Sequence, residues 1–237
     1  MKLLDKTNMN DKYKNFIRVI NPATGEVLFE KNNLVTQSGR VIMMEKLIGE
    51  TFSGSEYTRE LELEDSGLDL LQRELCLVKV GDGAANIATP FAVSPVDPEV
   101  RDVINPLPIR KRNSTDPLAG GETYLYKYFL KETDPIDGDY IFFGKVFDNT
   151  LPLTEFNMGE NMVKAVYEVT FSRDDLQNYI VNEIGFYVGN VTRSGDDITS
   201  IKNVELFSKI NFSSKELKTI TESSYFTELK VEYTVYS

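Results

Sequence analysis

The sequence contains no histidine and a single cysteine, Cys76. Without histidine there is no Ser-His-Asp or Cys-His catalysis, no histidine-ligated metal and no general base that ordinarily titrates near neutrality. One cysteine excludes a disulfide within this chain and any cysteine-rich zinc or iron–sulfur site. Because Cys76 lies in the apolar run at residues 75–78, we expect a buried, unreactive thiol.

Basic residues are scarce, and long apolar runs are missing. The 237 residues include 26 Lys and Arg against 37 Asp and Glu, which gives a net charge of −11 and a pI near 4.7. This balance argues against a dedicated nucleic-acid binder and against docking on an anionic membrane. No stretch approaches the roughly 20 apolar residues of a membrane-spanning helix. The first residues, with an apolar core of only Leu3 and Leu4, do not resemble a signal peptide.

The length fits one large domain or two small ones. We predict an extended N-terminal arm at residues 1–15, which are polar, and a single β-sandwich-type domain at residues 16–237. The domain carries an insertion at residues 84–121, which holds six of the nine prolines and is expected to form a loop-rich excursion. Because Pro98 suits a first helical turn, a short helix at 97–105 is the alternative within it.

The only dense basic run, Arg110, Lys111 and Arg112, lies in this insertion. One interpretation is a contact with an acidic face of a neighbouring subunit, and the other is a solvated loop. A long loop inside a compact domain is often functional or packs on a neighbour.

Alternation of apolar and polar residues dominates the second half of the chain. Residues 163–171 and 229–236 alternate over seven or more positions, as half-buried antiparallel strands do. We therefore predict a mainly β fold, an antiparallel β-sandwich with one N-terminal helix and the long Pro-rich loop excursion. Further strands are predicted within a hairpin at 16–30 and at residues 74–80, 123–131, 140–147, 180–188 and 204–212.

The N-terminal helix is predicted within residues 34–49. Thr36 or Ser38 is a suitable N-cap, and Gly49 suits the position after the C-cap. The apolar residues have helical spacing, so we interpret the segment as a core helix. These residues are Val41, Met44, Leu47 and Ile48.

Asn182 and Glu183 are unusual because they lie inside an apolar strand. A buried carboxylate without a partner costs several kcal/mol, so we expect Glu183 to accept hydrogen bonds from the turn at 78–83 or from Arg40. The alternative is an exposed glutamate. Gly185, directly after Ile184, indicates a bulge or a close backbone approach.

Other motifs give no catalytic or cofactor site. Gly81 and Gly83 flank Asp82 in a tight turn that lacks a phosphate-binding sequence. A glycosidase needs two carboxylates across a cleft, but the acidic clusters lie in polar stretches and are interpreted as solvated loop charges. We therefore predict no enzyme activity, no cofactor and no metal. The acidic clusters are Asp174–175, Asp196–197 and Glu62 with Glu64 and Asp65.

Three segments, in order, resemble a recurring pattern in virion proteins of tailed bacteriophages, familiar from tail-fibre and tail-collar attachment domains and related minor structural proteins. The pattern covers residues 24–237. The segments are residues 24–28 with 33–40 and a helix that ends at 47–49; the strand and turn at 78–83; and residues 180–187 with 206–212, Lys215 or Lys218 and a terminal alternating strand.

The resemblance implies a non-enzymatic structural subunit of the virion, in the neck or collar, the baseplate or the fibre attachment. It implies other virion proteins as partners, a homo-oligomeric ring or other symmetric assembly, and assembly in the host cytoplasm. Residues 1–15 and 84–121 are expected to order against neighbours. A carbohydrate- or receptor-binding sandwich is the alternative, and it predicts exposed aromatic residues in a concave site.

Overall fold

The computed structural model describes residues 15–52, 57–86, 89–107, 110–112, 140–148, 152–157, 162–172, 175–176, 180–195, 197–213 and 228–236. Their elements, in chain order, are β1 (Phe16–Asn21), β2 (Glu26–Asn32), β3 (Leu34–Val35), α1 (Gln37–Ile48), a 3₁₀ turn (Leu70–Gln72), β4 (Glu74–Gly81), β5 (Ala85–Asn86), β6 (Thr89–Val93), β7 (Arg110–Arg112), β8 (Tyr140–Phe142), β9 (Gly144–Val146), β10 (Leu153–Asn157), β11 (Met162–Ser172), β12 (Glu183–Ser194), β13 (Asp197–Asn211) and β14 (Glu228–Tyr236).

Two five-stranded antiparallel sheets make up most of this structure. The strand order of the first sheet is β10-β11-β14-β1-β2, and that of the second sheet is β3-β13-β12-β4-β9. Two small two-stranded sheets, β5–β6 and β7–β8, come from the Pro-rich insertion and the segment after it. The predicted fold class, mainly β and sandwich-like with an N-terminal helix, is confirmed.

The main core lies between the two sheets and follows the predicted alternation. Val169 and Phe171 of β11 are fully buried, and Val169 pairs with Val231 of β14. Aromatic rings cross this core: the ring centroid of Phe186 lies 4.3 Å from that of Tyr233 and 6.3 Å from that of Phe147. Such stacked aromatic pairs contribute beyond the area that they bury.

The predicted N-terminal hairpin is present. Its turn follows Asn21, whose side-chain Oδ1 accepts a hydrogen bond from the Ala23 amide. Gly25 has φ +71°, and its amide donates to the Asn21 carbonyl at 2.8 Å. A glycine fits here because this left-handed conformation strains other residues.

The helix ends where the sequence predicts, but its buried face is not the predicted one. The Thr36 side chain caps the N-terminus and accepts from the Gly39 amide at 3.1 Å, while Gly49 ends the helix with φ +73°. The interpretation as a core helix is wrong for three of its four apolar residues. The buried helix residues are Ser38, Gly39, Ile42 and Glu45, whereas Met44, Leu47 and Ile48 are exposed.

Four other predictions are corrected or fall outside the described residues. The alternative helix at 97–105 is wrong, because that segment has only a turn at 98–99 before an irregular run. The strand predicted at 180–188 begins at Glu183 and continues to Ser194. The strand predicted at 123–131 and residues 1–14 of the arm predicted at 1–15 lie outside the described residues.

Cys76 is buried, as expected from its apolar neighbours. Burial disfavours the thiolate and raises the pKa of Cys76 far above its ordinary value. The prediction of a buried thiol is confirmed.

The buried phenol of Tyr233 is expected to make the free energy of unfolding depend on pH in the alkaline range. Burial raises the pKa of Tyr233 from 10 to about 12, against the lowering effect of the hydrogen bond from Ser208. Below pH 10 the phenol is protonated in both states, but between pH 10 and 12 the unfolded chain loses this proton first. We therefore expect the free energy of unfolding to fall by up to about 1.4 kcal/mol per pH unit from this group alone. Urea unfolding from pH 9 to 12 checks this, and Tyr233→Phe should be less steep over that interval.

Candidate functional site

The outer face of the second sheet carries buried charged side chains where solvent-exposed ones are expected. Residues of β4 and β12 alternate, so that Val78 and Ile184 face the main core while Lys79 and Glu183 face outward. Helix α1 and the irregular segments at 57–73 and 94–107 supply partners of the buried charges. Charges in such a layer need close partners, because desolvation is costly.

Glu183 is fully buried and has three partners. One carboxylate oxygen, Oε1, accepts hydrogen bonds from the Gly83 and Asn105 amides, each at 3.1 Å. The other oxygen, Oε2, forms an ion pair with the buried Lys209 of β13. The predicted hydrogen bond from the 78–83 turn is therefore present, and Arg40 is instead exposed. We call Glu183, Lys209, Gly83 and Asn105 the Glu183 cluster.

The side chain of Asn182, next to Glu183, forms hydrogen bonds with the same turn. Its side-chain Oδ1 accepts from the Ala84 amide at 2.9 Å, and its Nδ2 donates to the Asp82 carbonyl at 2.9 Å. These two bonds satisfy both ends of a buried amide, which would otherwise be costly. Asn182 and Glu183 therefore hold one turn against the end of β12.

The glycines of this motif make room for the cluster. A Cβ on Gly81 would collide with Glu183 Oε1 and lie 2.7 Å from the Asn105 carbonyl, and one on Gly83 would collide with Ile104. A Cβ on Gly185 would lie 2.9 Å from the Tyr187 ring, which explains the predicted close approach there. A register shift between Phe186 and Tyr187 adds the bulge.

A second buried charge cluster joins α1 to the sheet. Arg73 is buried between two glutamates: its Nη1 lies 2.6 Å from Glu205 Oε2, and its Nη2 lies 3.4 Å from Glu45 Oε2. Arg59 pairs with the same two carboxylates, and the Tyr57 hydroxyl donates to Glu205. Burial, with this hydrogen bond to Glu205, raises the pKa of Tyr57. We call Glu45, Arg59, Arg73 and Glu205 the arginine–glutamate cluster.

A third group surrounds Lys79. Its Nζ forms ion pairs with Glu62 and Asp102 and lies 4.7 Å from the centroid of the Tyr187 ring. The Tyr187 hydroxyl donates to Asp102 and accepts from the Val103 amide at 3.1 Å. Burial and the nearby Asp102 carboxylate raise the pKa of Tyr187 well above its ordinary value.

These clusters connect the second sheet to the segments that cover it. None of them presents a pair of unpartnered carboxylates that could act as acid and base. The buried carboxylates Glu45, Glu183 and Glu205 are each ion-paired. The interpretation of Asp175 as a solvated loop charge is wrong: it is buried, accepts from the Ser172 amide at 2.8 Å and lies 3.3 Å from Lys145 Nζ.

Helix α1 presents an apolar surface to solvent. Met43 is 52% and Leu47 79% exposed, and Met44 and Ile48 are each 48% exposed. The spacing places the four side chains on one side of the helix, opposite Ile42 and Glu45. We call Met43, Met44, Leu47 and Ile48 the α1 outer face. Single exposed apolar residues are ordinary, but a contiguous group often marks an interaction site.

A groove of about 620 Å³ lies where β2 passes into β3, beside the end of β13. Its lining mixes polar and apolar residues, and its one aromatic residue, Phe212, is buried in the core. The lining residues are Lys31, Asn32, Asn33, Leu34, Val93, Ser94, Pro95, Val96, Lys209, Ile210, Asn211, Phe212 and Ser213.

Sequence reasoning identified only part of this site. A polar pair inside an apolar strand is a visible signal, and it identified the residues that the structure brings together. These are Gly81, Gly83, Asn182, Glu183 and Gly185. The structure shows Arg110, Lys111 and Arg112 as β7 paired with β8, and their contact with a neighbouring subunit stays a prediction. Sequence reasoning did not identify Lys209 or the arginine–glutamate cluster. A charged residue within an otherwise apolar stretch of strand could have indicated Lys209 and Glu205.

No family model, curated protein or solved structure matches this chain. Within the described part of the chain, no group of three or more acidic or cysteine residues is placed to hold a metal ion. In the same residues, no helix has the length and apolar character needed to cross a membrane.

Proposed function

We propose that this chain is a non-enzymatic structural subunit of a tailed-phage virion, in the tail apparatus at the neck or collar, the baseplate or the fibre attachment. The resemblance in the three sequence segments supports the virion, and the α1 outer face supports a role in assembly. That face is the single observation that carries the proposal. An apolar helix surface held away from the core is typical of a surface that another protein covers.

The buried charge clusters support the same role, because they make the surface rigid. Glu45 lies on the buried side of α1 and is bound by Arg59 and Arg73. The single hydrogen of the Thr36 hydroxyl is also shared between the backbone carbonyls of Leu206 and Phe207 in β13, each 3.1 Å away. A helix that is fixed before binding loses less conformational entropy on association.

Two other classes of function receive less support. A sugar-binding sandwich needs exposed aromatic rings in a concave site, whereas the groove contributes only the buried Phe212. A carboxylate hydrolase needs two acidic groups facing each other across an open cleft. The buried carboxylates among the described residues are occupied by Arg and Lys partners.

The test is the location and copy number of the subunit in purified particles. We expect gold-labelled antibodies to mark one position on the tail, with a fixed copy number by quantitative mass spectrometry. Leu47→Asp should lower incorporation at least about tenfold, because a buried charge at an interface costs several kcal/mol. Leu153→Asp, at another exposed leucine, serves as the matched control. Absence of the wild-type chain from particles would overturn the proposal.

A further inference from the structure

We propose that the α1 outer face binds a second copy of this chain, with the two α1 helices antiparallel across a two-fold axis. The inference rests on the proposed function, since it names the partner of the surface that carries that function. A two-fold contact requires a surface that is complementary to itself. The apolar and charged residues of α1 have that property.

The apolar part of the surface forms a regular stripe. With the exposed Arg40, the four residues of the α1 outer face occupy positions i, i+3, i+4, i+7 and i+8 of the helix. This is the pattern by which a helix packs against another element. In this helix the other side is already buried through Ser38, Gly39, Ile42 and Glu45, so the stripe is left for a partner.

The charges at the two ends of the stripe have opposite sign. Arg40 lies near the N-terminus of α1, and the exposed Glu50 follows Gly49 at its C-terminus. Each charge has the sign that the helix dipole disfavours at that end. An antiparallel second helix would bring Glu50 of one copy beside Arg40 of the other and compensate both.

The spacing agrees with this pairing. When Met43 of one copy is level with Leu47 of the other, Arg40 lies beside the end of the other helix, which Glu50 follows. At a rise of about 1.5 Å per residue, Arg40 and Ile48 lie about 12 Å apart along the helix axis, so the charges of Arg40 and Glu50 flank the apolar stripe. The two-fold axis then passes level with residue 45, so both ends of the contact are equivalent.

Self-association is therefore favoured over a different virion protein as the occupant. A second copy of the chain supplies the charges that complement both Arg40 and Glu50, whereas a different partner need not complement both. A membrane is disfavoured, since the net charge of −11 repels anionic lipid.

Sedimentation velocity of the full chain over a wide concentration range tests the contact. We expect the wild type to form dimers and Leu47→Asp to raise the dimer dissociation constant at least about tenfold, as loss of a central apolar contact does. Leu153→Asp, on β10, should dimerise like the wild type. Circular dichroism of each variant reports whether it is folded.

Charge reversal tests the antiparallel pairing itself. Arg40→Glu and Glu50→Arg should each weaken the dimer, since each opposes like charges, and the double variant should restore the wild-type dissociation constant within about threefold. A wild type that stays monomeric at all concentrations, or a double variant no better than the single ones, overturns the inference. Incorporation into particles is measured separately, so a monomeric chain found at its place in the tail leaves the proposed function standing.

Discussion

Replacing Glu183 by alanine is expected to lower the free energy of unfolding by about 4–5 kcal/mol. The substitution leaves Lys209 charged, 1% exposed and without its carboxylate. It also removes the acceptor of the Gly83 and Asn105 amides. Breaking a buried ion pair costs about 3–5 kcal/mol, and buried unsatisfied amides add to that cost. The loss is a large part of the total stability of a typical domain.

Urea unfolding at pH 7 measures this effect, with Glu155→Ala as the matched control. Glu155 pairs with Lys164 at 3.5 Å, but its side chain is 67% exposed, so its loss should cost less than about 1 kcal/mol. Glu183→Gln keeps an acceptor for the amides and removes the charge, and it should fall between the two. Equal stabilities of Glu183→Ala and Glu155→Ala would show that the cluster does not hold the turn.

The strands that the sequence predicts well are those in which one face meets the main core. In β11 and β14, alternation alone identifies Val169, Phe171 and Val231 as buried. Period-2 alternation is a property of the strand itself, so it can be read without knowing the neighbouring strand. Strand order and register depend on contacts between distant residues, and local patterns do not contain them.

For helix α1, the sequence predicts the ends correctly but the buried face wrongly. Its capping residues are local signals: they predict its start at Thr36 or Ser38 and its end at Gly49, and the structure has Thr36 as the N-cap. The apolar stripe predicts a buried face only if the partner surface is apolar. Here the sheet presents Glu205 and, beside it, Arg73 from the preceding segment, so the helix turns Glu45 inward and the apolar side outward.

Among the buried charges that the structure describes, Glu183 is the one whose burial and partners the sequence pattern predicts. Two adjacent polar residues within an apolar strand draw attention, and the nearby glycines indicate a close approach. Arg73 follows a polar segment and resembles an ordinary surface residue, and its carboxylate partners are 28 and 132 residues away. Such clusters depend on tertiary contacts, which a single sequence does not reveal.

Replacing Arg73 by methionine should destabilise the protein by about 3–5 kcal/mol. Arg73 is fully buried, and its loss leaves the Glu45 and Glu205 carboxylates with Arg59 as their remaining cationic partner. Methionine fills part of the volume, so the loss reports mainly the uncompensated charge. Because Glu45 is the buried charge of α1, we also expect Leu47 and its neighbours to lose protection from hydrogen exchange.

A second substitution separates charge from packing in this cluster. Glu205→Gln in the Arg73→Met background removes one of the two neighbouring carboxylates and should recover about 0.5–3 kcal/mol, the range of coupling energies between contacting groups. Arg18→Met is the matched control, since its pair with Glu30 at 2.6 Å is partly exposed on both sides and should contribute at most about 1 kcal/mol. If Arg73→Met lowers the free energy of unfolding no more than Arg18→Met does, the cluster does not fix α1 to the sheet by charge. The same holds if adding Glu205→Gln to Arg73→Met lowers the free energy of unfolding further. The rigid presentation of the α1 outer face then requires another cause.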